Sequence, residues 1–114
     1  MDINECILAK LATQDRLEKA LRDLAHVMGH TKATPLSTSL FCLDFDLGIE
    51  EHDQIMCYLS RIAEKRQVRS LFAVKAELNT LVPKTKNFSE PTFKAMLKIF
   101  IKQFELKLHI LGLE

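Results

Sequence analysis

Residues 41–47 read Phe41, Cys42, Leu43, Asp44, Phe45, Asp46, Leu47. Phe41, Leu43, Phe45 and Leu47 share one parity, and Cys42, Asp44 and Asp46 share the other. That alternation has a period of two, the mark of a strand with one apolar and one polar face. The remainder of the chain repeats mostly at helical spacing. A lone strand in a helical protein leaves backbone donors and acceptors unpaired and needs a partner strand. The reading of 41–47 therefore decides between a self-contained fold and one that pairs with another chain.

The chain has 114 residues, the size of one domain, so 1–114 is read as a single domain. Hydrophobic residues make up 47% of it, enough for a packed core. Charge is nearly balanced, 16 basic residues against 15 acidic, for a net +1. No global field favours nucleic acid or membrane, so any basic recognition surface must be local. Three glycines and three prolines favour helices over a sandwich with many tight turns.

Cys6, Cys42 and Cys57 are odd in number and form no CxxC pair. They read as buried free thiols, which points to a reducing compartment and a cytoplasmic location. The acidic start, Asp2 and Glu5, lacks the basic-then-apolar pattern of a signal peptide. No segment has the length of apolar sequence a membrane span needs.

In residues 3–28, Ile3, Ile7, Leu17, Leu21, Leu24, Ala25 and Met28 fall on one side of a helix. Thr13, Gln14 and Asp15 interrupt the stripe and suggest a kink, and Gly29 supplies a C-terminal stop. Residues 30–39 are a polar loop. From Ile49 to Val82 the apolar face rotates, so a break is expected near Glu64–Arg69, with Ser70 capping the second helix and Pro83 ending it. Ser89, Glu90 and Pro91 then open a further helix.

Residues 91–111 read in two ways. As one helix they stack Phe93, Leu97, Phe100, Phe104, Leu108 and Leu111 in a stripe. As a strand, 104–110 alternates through Phe104, Leu106, Leu108 and Ile110. The longer helical stripe is favoured. Ala95, Ile99, Leu106 and Ile110 lie on its opposite flank, as in a central helix or one that meets a partner.

The fold expected is mainly α: a bundle of four or five helices with one short β element near 40–47. The alternative is α+β, with a two-strand pair of 40–47 and 104–110.

Chemistry is sparsely signalled. Asp44, Asp46, Glu50 and Glu51 fail the calcium-loop pattern, since Gly48 and Ile55 occupy ligand positions. His26 and His30 lack further zinc ligands. Five residues apart on a helix, His52 and Cys57 point away from each other. No nucleophile elbow, metalloprotease or phosphate-loop motif occurs. The chain is therefore read as having no catalytic or metal site and no cofactor.

Arg61, Lys65, Arg66 and Arg69 form the densest basic cluster, a possible contact for nucleic acid or an acidic partner. Phe41, Leu43, Phe45, Ile99, Leu106 and Ile110 are the candidate protein interface. The function expected is that of a small intracellular protein-binding or regulatory module (an inhibitor, immunity-type or adaptor protein). It would act by surface complementarity on a protein partner or on itself as a homodimer. The alternative is a nucleic-acid-binding regulator using the basic patch.

Overall fold

The computed structural model describes residues 2–113. Five α-helices run in chain order: α1 (Ile3–Val27), α2 (Thr38–Asp44), α3 (Ile49–Glu64), α4 (Leu71–Leu81) and α5 (Glu90–Gln103). Two short strands, β1 (Arg69–Ser70) and β2 (Ile110–Leu111), pair in parallel, Arg69 with Ile110 and Ser70 with Leu111. The protein is thus mainly helical with a short β element. It forms two compact units, Met1–Thr31 and Lys32–Glu114.

The β element is not at 40–47. That stretch is the helix α2, followed by a turn. Ser37 starts it: the hydroxyl oxygen accepts the Leu40 N–H at 3.1 Å, an N-cap that removes one unpaired helix-end donor. The buried side chains are Thr38, Phe41 and Cys42, with Phe45 half-buried one turn on. That spacing of three, four and seven is the helical one. Leu43, whose parity supported the strand, is half-buried. The edges that called for a partner strand do not exist.

The C-terminal stretch divides. α5 stops at Gln103, the chain turns at Phe104–Glu105, and β2 follows after an irregular run. The single helix over 91–111 is thereby corrected. A strand does lie at the end of 104–110, but its partner is 69–70 rather than 40–47.

Local signals elsewhere are followed closely. The helical run from Ile49 breaks after Glu64. Ser70 caps α4 through the Ala73 N–H at 3.1 Å, and Ser89 caps α5 through the Thr92 N–H at 3.3 Å. At the start of α3, the Glu51 carboxylate accepts the Gly48 N–H at 2.9 Å. That bond first, against the opposing effect of burial, and then the nearby Lys84 hold the Glu51 carboxyl below its usual range. α1 is continuous through Thr13–Asp15, where a kink was expected.

The core lies within Lys32–Glu114. Phe41, Ile55, Leu59, Val74, Leu78, Phe93, Met96, Leu97 and Phe100 are fully or almost fully buried there. α5 is the central helix, because Ala95 and Ile99 on its second flank are also buried. Two buried hydroxyls belong to this unit. Thr85 places its hydroxyl 2.7 Å from Asn79 Oδ1, and Thr38 bonds His52 as described below. Among the described residues, no buried side-chain polar atom lacks a partner, as a stable interior requires.

Candidate binding surfaces

Unit Met1–Thr31 is one helix with its caps. Asp2 Oδ1 accepts the Glu5 N–H at 2.7 Å. At the far end Gly29 takes a left-handed φ of 96°, and the His30 N–H reaches the Ala25 carbonyl at 2.8 Å. Between these stops, Ile3, Ile7, Leu17, Leu21, Leu24 and Met28 are 47–78% exposed. With Lys10 and Gln14 they occupy positions 3, 7, 10, 14, 17, 21, 24 and 28. Those steps alternate four and three, the spacing of a seam that meets another helix. Leu8, Leu11 and Val27 add exposed apolar surface. A solvated apolar stripe of this length is a recognised mark of an association surface.

In the second unit the candidate interface residues other than Leu43 belong to the core or pack against it, and Leu43 lines a groove. Phe41, Ile99 and Ile110 are buried; Leu43, Phe45 and Leu106 are half-buried. Phe41, Phe45 and Phe88 form an aromatic group with centroid separations of 4.6, 5.3 and 6.0 Å.

Sequence reading missed one polar constellation. Thr38 Oγ1 lies 2.8 Å from His52 Nε2, and His52 Nδ1 lies 3.2 Å from Asp53 Oδ1. A hydroxyl, an imidazole and a carboxylate in that order have the connectivity of a nucleophile, its base and an orienting acid. However, Thr38 is 0% exposed, so no substrate carbonyl can reach its oxygen. The Thr38 N–H donates to Gln103 Oε1 at 2.8 Å. The group ties α2 to α3 and to the end of α5. Its one signal in the sequence is His52, a polar residue one turn before the core residues of α3.

Cys42 borders a groove of about 360 Å³ that Leu47, His52 and Asp53 also line. Burial, reinforced by the negative charge of Glu51, pushes its thiol up to about 11 from 9.0. The thiol is therefore protonated at neutral pH and a poor nucleophile. Because the folded value lies above the unfolded one, its contribution to stability is fully present below pH 9.0 and is lost as pH rises through about 11. Chemical denaturation across that window should show a loss that Cys42→Ala reduces. Cys6 and Cys57, expected to be buried, are exposed free thiols.

The basic cluster divides. Arg61, Lys65 and Arg66 are exposed at the end of α3. Arg69 instead donates to the Glu77 carboxylate, which also accepts the Tyr58 hydroxyl, and lies 3.0 Å from Gln67 Oε1. Lys84 donates to the Asp46 carbonyl at 2.7 Å and pairs with Glu51 at 3.2 Å. Arg61 also lines a groove of about 460 Å³ that contains the acids Glu50 and Asp53. Three cations thus face solvent together, with acids beside them.

Arg66 is left-handed at φ 52°, where a side chain is strained and glycine is not. Arg66→Gly should raise stability by about 1 kcal/mol, read as an upward shift in melting temperature. If the cluster binds polyanions, the same variant should elute from heparin at lower salt despite its greater stability.

Among the described residues, no three His, Cys, Asp or Glu side chains gather as a metal site would, and no helix is long and apolar enough to cross a membrane. Comparison with known protein families, characterised proteins and solved structures finds no significant match to the chain.

Proposed function

We propose that this chain is a small protein-binding module of the inhibitor, immunity-type or adaptor kind, working by surface complementarity rather than catalysis, with the apolar face of α1 as its docking surface. The observation that carries this is the exposure of six aliphatic seam residues along one 25-residue helix. An isolated amphipathic helix is marginal in water, and most helical stability in proteins comes from packing its apolar face. Burying one Leu or Ile is worth about 1.5–3 kcal/mol. Covering this stripe therefore offers several such contributions to a partner helix. Three unpaired thiols suit a reducing compartment, and the cytoplasm is the proposed location.

The test uses the full chain as bait in an extract of its host, beside a Leu17→Lys, Leu24→Lys variant. The expected result is stoichiometric recovery of a protein, or of a second copy, by the parent and its loss in the variant. The melting transition of Lys32–Glu114 should stay unchanged. Equal recovery by both baits would remove α1 as the docking surface.

A second reading, contact with nucleic acid, rests on the solvent-facing group Arg61, Lys65 and Arg66. It ranks lower because Arg69 is committed to Glu77 and no aromatic residue lies among the four cations. The heparin comparison decides it: no retention of the parent chain at low salt, or equal elution of parent and Arg66→Gly, refutes it.

A further inference from the structure

We infer that the occupant of the α1 face is α1 of a second copy, packed antiparallel about a twofold axis. This rests on the reading of α1 as a docking surface and adds the partner and its direction. Three observations carry it.

The first is the four-three alternation from Ile3 to Met28, which selects a helix rather than a strand or a flat surface. The second is where the seam is polar. Lys10 and Gln14 interrupt it, and both lie in its N-terminal half. A parallel, in-register pair would set Lys10 against Lys10 and Gln14 against Gln14. Two ammonium groups would then face each other inside the seam. An antiparallel pair sets Ile3 against Met28, Ile7 against Leu24, Lys10 against Leu21 and Gln14 against Leu17. Each polar residue then meets a leucine along which its stem can lie, and its head group can reach the edge of the seam.

The third observation is charge. The positions flanking the seam hold Asn4, Cys6, Leu11, Thr13, Glu18, Ala20, Ala25 and Val27. Glu18 is the one charged residue among them, and Lys10 is the one charged residue in the seam itself. The two have opposite signs. Glu18, whose carboxylate pairs with Arg22 at 3.2 Å on its own helix, lies three residues from Leu21 on the same side, so in the antiparallel pair it comes beside Lys10 of the other copy and is shared between the two cations. The twofold axis makes that pair twice. In the parallel arrangement the two residues are more than two turns apart along the axis and cannot meet. A foreign helix would not require both signs within one chain.

Sedimentation and light scattering of the full chain at micromolar concentration test the inference. A dimer is expected, and Leu21→Lys should abolish it without shifting the melting transition of Lys32–Glu114. Lys10→Glu and Glu18→Lys should each weaken the dimer roughly tenfold, and the double exchange should restore it. Direction is read by cross-linking. Val27 lies opposite Cys6 of the other copy in the antiparallel pair. A Val27→Cys, Cys57→Ser variant should therefore oxidise to a dimer whose peptide map joins residues 6 and 27.

A link between the two copies of residue 27 would overturn the antiparallel arrangement. So would a charge exchange that fails to restore association. A monomeric parent that still recovers a foreign protein through the stripe overturns the second copy and leaves the docking surface intact. A dimer indifferent to Leu21→Lys, together with equal recovery by parent and Leu17→Lys, Leu24→Lys baits, removes both.

Discussion

Phe41→Ala is expected to destabilise the Lys32–Glu114 unit by about 3–5 kcal/mol, the cost of emptying a fully buried aromatic site. Phe41 is 0% exposed, and its ring packs 4.6 Å from Phe45 and 6.0 Å from Phe88. It anchors α2 to the segment that leads into α5. The loss has two parts, the transfer energy of the ring and the cavity left between groups that cannot all collapse inward. Domains of this size have roughly 5–15 kcal/mol in total, so the variant should be unfolded or close to it at moderate temperature. Urea denaturation followed by circular dichroism measures it. Ile49→Ala, on a side chain 79% exposed, is the control and should change stability by no more than about 0.5 kcal/mol. A Phe41→Ala cost below about 1 kcal/mol would mean that α2 does not pack as described.

Glu77→Ala should cost about 2–3 kcal/mol, because two donors share this one carboxylate. The Tyr58 hydroxyl and the Arg69 guanidinium both bond Glu77. Tyr58 is buried, whereas the Arg69 side chain is about a third exposed, so water compensates the arginine better than the phenol. A Tyr58→Phe, Glu77→Leu double change removes the unsatisfied phenol together with its acceptor. It should cost clearly less than Glu77→Ala, and equal losses would refute the account. Burial first, and then the Glu77 carboxylate, raise the Tyr58 phenol above its usual 10.0. Its contribution to stability is thus present below pH 10.0 and falls as pH rises through the higher folded value. Tyr58→Phe should remove that part of the alkaline loss.

Elements whose ends are written in local chemistry were legible in the sequence. Ser70, Ser89 with Pro91, and Gly29 mark helix ends that the structure keeps. The expected break after Glu64 follows from a rotation of the apolar face, which a straight helix cannot bury on one side. Residues 41–47 show where periodicity fails. Over seven residues a strand and a two-turn helix share several apolar positions. Ser37, outside the alternating stretch, is the local signal for the helix, since its hydroxyl caps α2. The end of α5 was hidden for a related reason: Phe104, Leu106 and Leu108 continue both the helical stripe and a strand pattern.

The candidate surfaces were less legible. An amphipathic stripe announces that something covers it, but it does not say whether the cover is in the same chain. Phe45, Ile99 and Ile110 are apolar in the way Leu17 and Leu21 are, yet the former pack in the core and the latter stand in solvent. Likewise the four cations of 61–69 look equivalent by spacing. Glu77, eight residues beyond Arg69, pairs with one of them and leaves its side chain about a third exposed.

The two-residue strand pair carries a consequence for the order of folding. Most contacts here join neighbours along the chain, the kind that form early. Joining Arg69–Ser70 to Ile110–Leu111 closes a loop of about forty residues, at an entropic cost of about 3 kcal/mol by the logarithmic law. Two ladder positions cannot repay that unaided, so the loop can close only after α4 and α5 have packed and shortened the gap. The tail should therefore act as a latch, engaging late during folding and opening before α5. Native-state hydrogen exchange should find the amides of residues 106–111 opening before those of α5.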